Sequence, residues 1–127
     1  MKYLLLSCIF IISWTAAARS VPKACRIKEN IRMQIEAISA NLANANTTRT
    51  VEGTPYQRKE LICKGEHCVV IGRGDFVEKY DPQHPHADSG GYVRLPKINV
   101  NQEMNAIVEA SHKYEAAQKD CLAENKL

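Results

Sequence analysis

The chain has 127 residues, enough for one domain, and its 17 basic and 14 acidic side chains leave a formal charge of +3. Basic residues are interleaved with acidic ones, as in Lys28-Glu29, Arg58-Lys59-Glu60 and Lys113-Tyr114-Glu115. This excludes the one-signed stripe that a nucleic-acid backbone requires. Aromatic residues make up only 6%, so a core built by this chain alone is thin and needs another source of stability.

The first element is read as a leader. Lys2 precedes an almost uncharged run, Tyr3 to Trp14, which ends in Ala16, Ala17 and Ala18, the order of a secretory signal with cleavage after Ala18. The run is shorter than the ~20 apolar residues of a membrane anchor. The expected mature domain is therefore residues 19–127, periplasmic and not membrane-spanning once the leader is removed. It carries 16 basic and 14 acidic side chains, a balance near +2.

A helix is predicted over about residues 23–46. Pro22 stands near its start, where a fixed φ and a missing amide cost nothing. Ile31, Ile35, Ile38 and Leu42 recur at spacings of four, three and four, forming one apolar stripe, with Arg32, Gln34 and Glu36 turned away from it. Asn41, Asn44 and Asn46 then accumulate with Thr47 and Thr48, whose side chains compete for backbone hydrogen bonds and end the helix.

Residues 47–98 read as an irregular and β-containing middle, punctuated by Gly53, Pro55, Gly65, Gly72, Gly74, Pro82, Pro85, Gly90, Gly91 and Pro96. Leu61-Ile62 and Val69-Val70-Ile71 flank a short turn and predict a small hairpin. A second helix is predicted over about residues 100–123, opened by a capping-box-like pair, Asn99 and Gln102. Val100, Met104, Ile107, Ser111, Tyr114, Gln118 and Cys121 alternate spacings of four and three, the seam of a paired helix. The fold expected is mainly α with a small β or irregular middle. Two long antiparallel terminal helices form a coiled-coil-like pair, joined by loops and a disulfide-stapled hairpin.

Cys8 leaves with the leader, so Cys25, Cys63, Cys68 and Cys121 form an even set in an oxidising compartment. Three pairings exist in principle. Cys63 and Cys68 flank Lys64-Gly65-Glu66-His67, and a bridge there staples the hairpin, which leaves Cys25 to pair with Cys121 across the mature chain. In the chain-entropy model so long a loop is worth roughly 4 kcal/mol, the short one less. Cys25 lies off the isoleucine stripe, so this long bridge is expected to distort or fray the helix. The competing reading of Cys63, Cys68 and His67 as a zinc site lacks a second close Cys or His pair.

The run Ile38-Ser39-Ala40-Asn41-Leu42-Ala43-Asn44-Ala45-Asn46-Thr47-Thr48-Arg49-Thr50, continuing through Glu52-Gly53-Thr54-Pro55-Tyr56 to Arg58-Lys59, resembles the rod signature of bacterial flagellar axial proteins. A second block agrees: Tyr80-Asp81-Pro82, His84-Pro85, Ala87-Asp88, Gly91-Tyr92-Val93, Pro96, Asn99-Val100, Glu103-Met104 and Tyr114-Glu115-Ala116. Within that group the chain is similar to the proximal rod proteins. The resemblance implies a structural subunit of the flagellar basal body, packed helically with copies of itself and with other rod proteins. It implies no enzyme activity, cofactor or small-molecule substrate. The residues expected at the assembly interface are Ile31, Ile35, Ile38, Asn41, Leu42, Asn44, Val100, Met104, Ile107 and Tyr114. The leader and the paired cysteines depart from the family pattern. They leave a second reading, a secreted monomeric periplasmic binding or adaptor module derived from a rod protein.

Other short motifs have plainer explanations. His84-Pro85-His86 between Asp81 and Asp88 has metal-ligand residue types, but a proline-held loop rarely makes such ligands converge. Arg73-Gly74-Asp75 reads as a turn, and Asn46-Thr47-Thr48 as a helix-end cap. Ser89 stands among glycines without a base or an oxyanion site, so no catalytic residue is assigned.

Overall fold

The computed structural model describes residues 20–126. The expected leader, residues 1–18, lies outside the described residues. The order of elements is α1 (Lys23–Ala43), β1 (Arg58–Lys64), β2 (His67–Arg73), β3 (Phe76–Tyr80), β4 (Tyr92–Pro96) and α2 (Val100–Glu124). Among the described residues no helix is long and apolar enough to cross a membrane.

The two helices lie side by side and antiparallel. Cys25 near the start of α1 is bridged to Cys121 near the end of α2, and the Ala24 amide donates to Glu124 Oε2 at 3.1 Å. At the other end the Asn41 amide reaches Glu103 Oε2 at 3.3 Å. The helices meet largely through small side chains: Ala24, Ala37, Ala110 and Ala117 are buried, with Ile38 and Cys121 among them. Small residues let the two backbones approach, so contact is close although little aromatic surface is available.

Helix α1 stops three residues before the expected Asn46. The Asn44 side-chain amide donates to the Ala40 carbonyl at 2.9 Å, and the Thr47 hydroxyl donates to Asn44 Oδ1 at 3.1 Å. The asparagine thus takes over a helix-end carbonyl and turns the chain out. Helix α2 opens as expected, with Asn99 Oδ1 accepting from the Gln102 amide at 3.2 Å.

The predicted seam of α2 is rotated. Val100, Met104, Ser111 and Gln118 are exposed, and Ile107 and Tyr114 are half-buried. The buried line is Glu103, Ala110 and Ala117, every seventh residue, together with Cys121. Size-blind spacing picked the larger apolar residues, whereas the neighbouring helix selects those that let it come near. The Cys25–Cys121 bridge also forms without the expected distortion, with its Cα atoms 4.6 Å apart inside two continuous helices.

The middle contains two hairpins where one was predicted. Strands β1 and β2 pair antiparallel with Cys63 opposite Cys68, and these two form the second disulfide. The loop between them is Gly65-Glu66, and Gly65 at φ +63° supplies the left-handed first position of a type II′ turn. The hairpin tip leans on α1: Asn30 Nδ2 donates to the Glu66 carbonyl at 3.1 Å, and Arg26 pairs with the Glu66 carboxylate at 2.7 Å.

The second hairpin, β3 with β4, was not predicted because its strands are short and flanked by proline and glycine. It is closed by Tyr80 opposite Tyr92, whose rings meet edge to face at 5.3 Å, and Val93 in β4 is one of the most buried residues. Asp88 organises the intervening loop by accepting from the Gly90 and Tyr92 amides, both at 2.9 Å. Gly91 is obligatory there: its φ is +82°, and a Cβ would stand 2.9 Å from the Tyr80 ring.

Candidate assembly interface

A buried polar knot fixes the geometry of the helix pair before any outer face is considered. Asn41 has 0% exposure, and every polar atom of its side chain is satisfied. Its Nδ2 donates to the Lys59 carbonyl at 2.9 Å and to Glu103 Oε2 at 3.3 Å. Its Oδ1 accepts from the Lys59 amide at 2.7 Å and from the Tyr56 hydroxyl at 3.1 Å. Glu103, almost wholly buried, is neutralised by Arg58, whose Nε donates to Oε1 at 2.7 Å. One side chain of α1 therefore holds both α2 and the start of β1. Burial, and then the nearby Glu103 carboxylate, push the Tyr56 phenol above its ordinary pKa. A buried amide so placed tolerates neither a shift of register nor a slide of the helices.

The two disulfides clasp the same unit elsewhere. Cys25–Cys121 ties the end of the helix pair far from Asn41, and Cys63–Cys68 closes the hairpin tip that rests on α1. Among the described residues no group of three or more His, Cys, Asp or Glu is placed to hold a metal ion. His84 and His86 are used locally: His84 Nδ1 accepts from the His86 amide at 3.0 Å, and His86 Nδ1 meets the Thr48 hydroxyl at 2.7 Å.

Large apolar side chains remain exposed both on the two hairpins and on α2. Val100, Met104 and Val108, four residues apart, are 44%, 55% and 56% exposed. They form one outward apolar line, whose first two members are among the expected interface residues. Ile31, Ile35, Leu42, Asn44, Ile107 and Tyr114 are half-buried, so each keeps part of its surface at the subunit boundary. Ile38 and Asn41, expected at the interface, are taken up inside the subunit. Their motif positions serve the monomer's own packing, and any neighbour meets the surface they hold in place. Tyr56 and Glu103, partners of Asn41, and Arg58, partner of Glu103, are not among the residues expected at a site. No local signal marks them, since Arg58 and Glu103 stand 45 positions apart.

No protein-family model matches the chain. Comparison with curated proteins finds the flagellar basal-body rod protein FlgC of Agrobacterium fabrum, 38% identical over 96 residues, covering 65% of this chain and 69% of the relative. The FlgC of Borreliella burgdorferi is 32% identical over 114 residues, and that of Bacillus subtilis 34% over 113, each spanning 67% of this chain and 75% of the relative. The chain belongs to the FlgC family of flagellar basal-body rod proteins. It is a structural subunit of the flagellar rod.

Proposed function

We propose that the subunit packs helically with copies of itself and with other rod proteins, and that the outward line of Val100, Met104 and Val108 on α2 is a principal contact. The observation that carries this reading is the exposure of these three side chains on a helix whose inner face is already filled by alanines and Cys121. The half-exposed Ile31, Ile35, Leu42, Asn44, Ile107 and Tyr114 extend the contact around the helix pair, which joins its neighbours in a coiled-coil-like array. Burying a Met or Val side chain against a neighbour contributes about 1.5–3 kcal/mol, and a contact that does not close on itself propagates as a helical tube. The site of action is the basal body, in support of flagellum-dependent motility. Two disulfides within the fold support passage through an oxidising compartment, which fits a leader cleaved after Ala18 and a periplasmic mature chain.

The test is sedimentation velocity of the oxidised protein over a range of concentrations, alone and with other rod proteins. Parent protein should form larger species, and Met104→Glu should remain monomeric with unchanged disulfides and melting temperature. A parent that stays monomeric under all of these conditions would favour the alternative reading, a periplasmic binding or adaptor module built on a rod scaffold.

A further inference from the structure

The helix pair has two unlike ends. Beyond the end of α1 the chain makes a tight turn over residues 50–54. The Thr50 amide donates to the Thr54 carbonyl at 2.7 Å, and the Gly53 amide to the Thr50 carbonyl at 3.0 Å. Tight turns favour Gly, Asn, Asp and Ser, yet this one carries Val51 at its tip. Val51 is 98% exposed, the most exposed large apolar side chain among the described residues, with Glu52 directly after it and Arg49 two positions before it. The subunit itself makes no use of it.

At the opposite end, between the first turn of α1 and the last turn of α2, the described residues leave an open hollow of about 530 Å³. Val21, Pro22 and the Cys25–Cys121 disulfide line it, with Lys28 and Glu124 in its walls. The 21 residues of α1 separate the two ends, a span of roughly 30 Å at the helical rise. The charges are complementary: the knob carries Arg49 and Glu52, and the hollow Glu124 and Lys28. None of Arg49, Glu52 and Lys28 joins an ion pair among the described residues.

We infer that the turn of one copy docks head to tail into the next copy, with Val51 seated in the hollow, Glu52 facing Lys28 and Arg49 facing Glu124. Knob and hollow lie at opposite ends, so one copy can give and receive at once, and the contact is heterologous and open. The inference rests on the assembly reading above and adds the axial contact to the lateral one made by α2.

The experiment uses the oxidised full protein purified from cells, with variants Val51→Asp, Glu52→Lys, Lys28→Glu and the double variant Glu52→Lys/Lys28→Glu. Peptide mapping of the Cys25–Cys121 bridge and a thermal melt check that each variant is folded. Self-association should weaken about tenfold in Val51→Asp, as for a seated apolar side chain. It should weaken about two- to fivefold in each single charge reversal and recover in the double reversal. If the parent assembles and Val51→Asp assembles equally well, the head-to-tail contact is wrong while the rod-subunit reading stands. Failure of the double reversal to recover what the single ones lose overturns the assigned pairing. A parent that never self-associates overturns this inference, and the rod-subunit reading then falls only if other rod proteins also fail to bind it.

Discussion

Asn41 lies in a run of asparagines and threonines that could equally have been an outer, partner-facing surface, and the difference is decided by Tyr56, Lys59 and Glu103. With the Tyr56 hydroxyl, the Glu103 carboxylate and the Lys59 backbone around it, the amide has donors and acceptors on every side and no atom left for a neighbour. Asn41→Ala should cost about 3 kcal/mol, because several buried groups lose their partner at once, read as a lower denaturant midpoint with unchanged m-value. Tyr56→Phe removes one hydrogen bond and should cost about 1 kcal/mol. The Tyr56 pKa is raised in the folded state, so the phenol's contribution is fully present below its ordinary pKa near 10 and is lost as pH rises above it. An ultraviolet titration should show one tyrosine ionising later than the others, and Tyr56→Phe should abolish that late step. Gly91→Ala should cost about 1–2 kcal/mol for the left-handed backbone alone, measured by the same unfolding curves. No pattern of spacing points to the Asn41 knot, because its other members sit 15 to 62 positions from Asn41.

The elements were legible where periodicity or local chemistry is strong. Both helices follow from apolar spacing and from the Asn99 cap, and the first hairpin from two β-branched runs around Gly65. The second hairpin was hidden because β3 buries almost nothing and its register depends on the loop that Asp88 and Gly91 organise. The rotation of the α2 seam was hidden for another reason: spacing identifies a face, but only the partner helix decides whether alanines or methionine point inward. The disulfides act on these elements unequally. Opening Cys25–Cys121, with 96 positions between its halves, should cost roughly 4–5 kcal/mol in the chain-entropy model, against about 2 for the Cys63–Cys68 hairpin clasp. Urea unfolding of the Cys25→Ser/Cys121→Ser and Cys63→Ser/Cys68→Ser pairs should show that order. Equal losses would mean that the hairpin tip resting on α1, through Arg26, Asn30 and Glu66, is itself an important prop.

For the whole molecule, a thin core is stiffened by an internal polar knot at one end of the helix pair and a disulfide at the other. The outer line of α2, Val100, Met104 and Val108, is left exposed. Membership of the FlgC family places such a unit in the flagellar rod, where we propose that this outer line meets neighbouring subunits. The measurement that bears most directly on this is quantitative mass spectrometry of basal bodies purified from cells producing either the parent chain or Met104→Glu. The parent should be recovered in the basal bodies in stoichiometric amounts, and the variant, although folded and exported, should be depleted. Basal bodies that lack the parent chain, or that hold the variant at the parent's level, would contradict assembly through the outer line of α2.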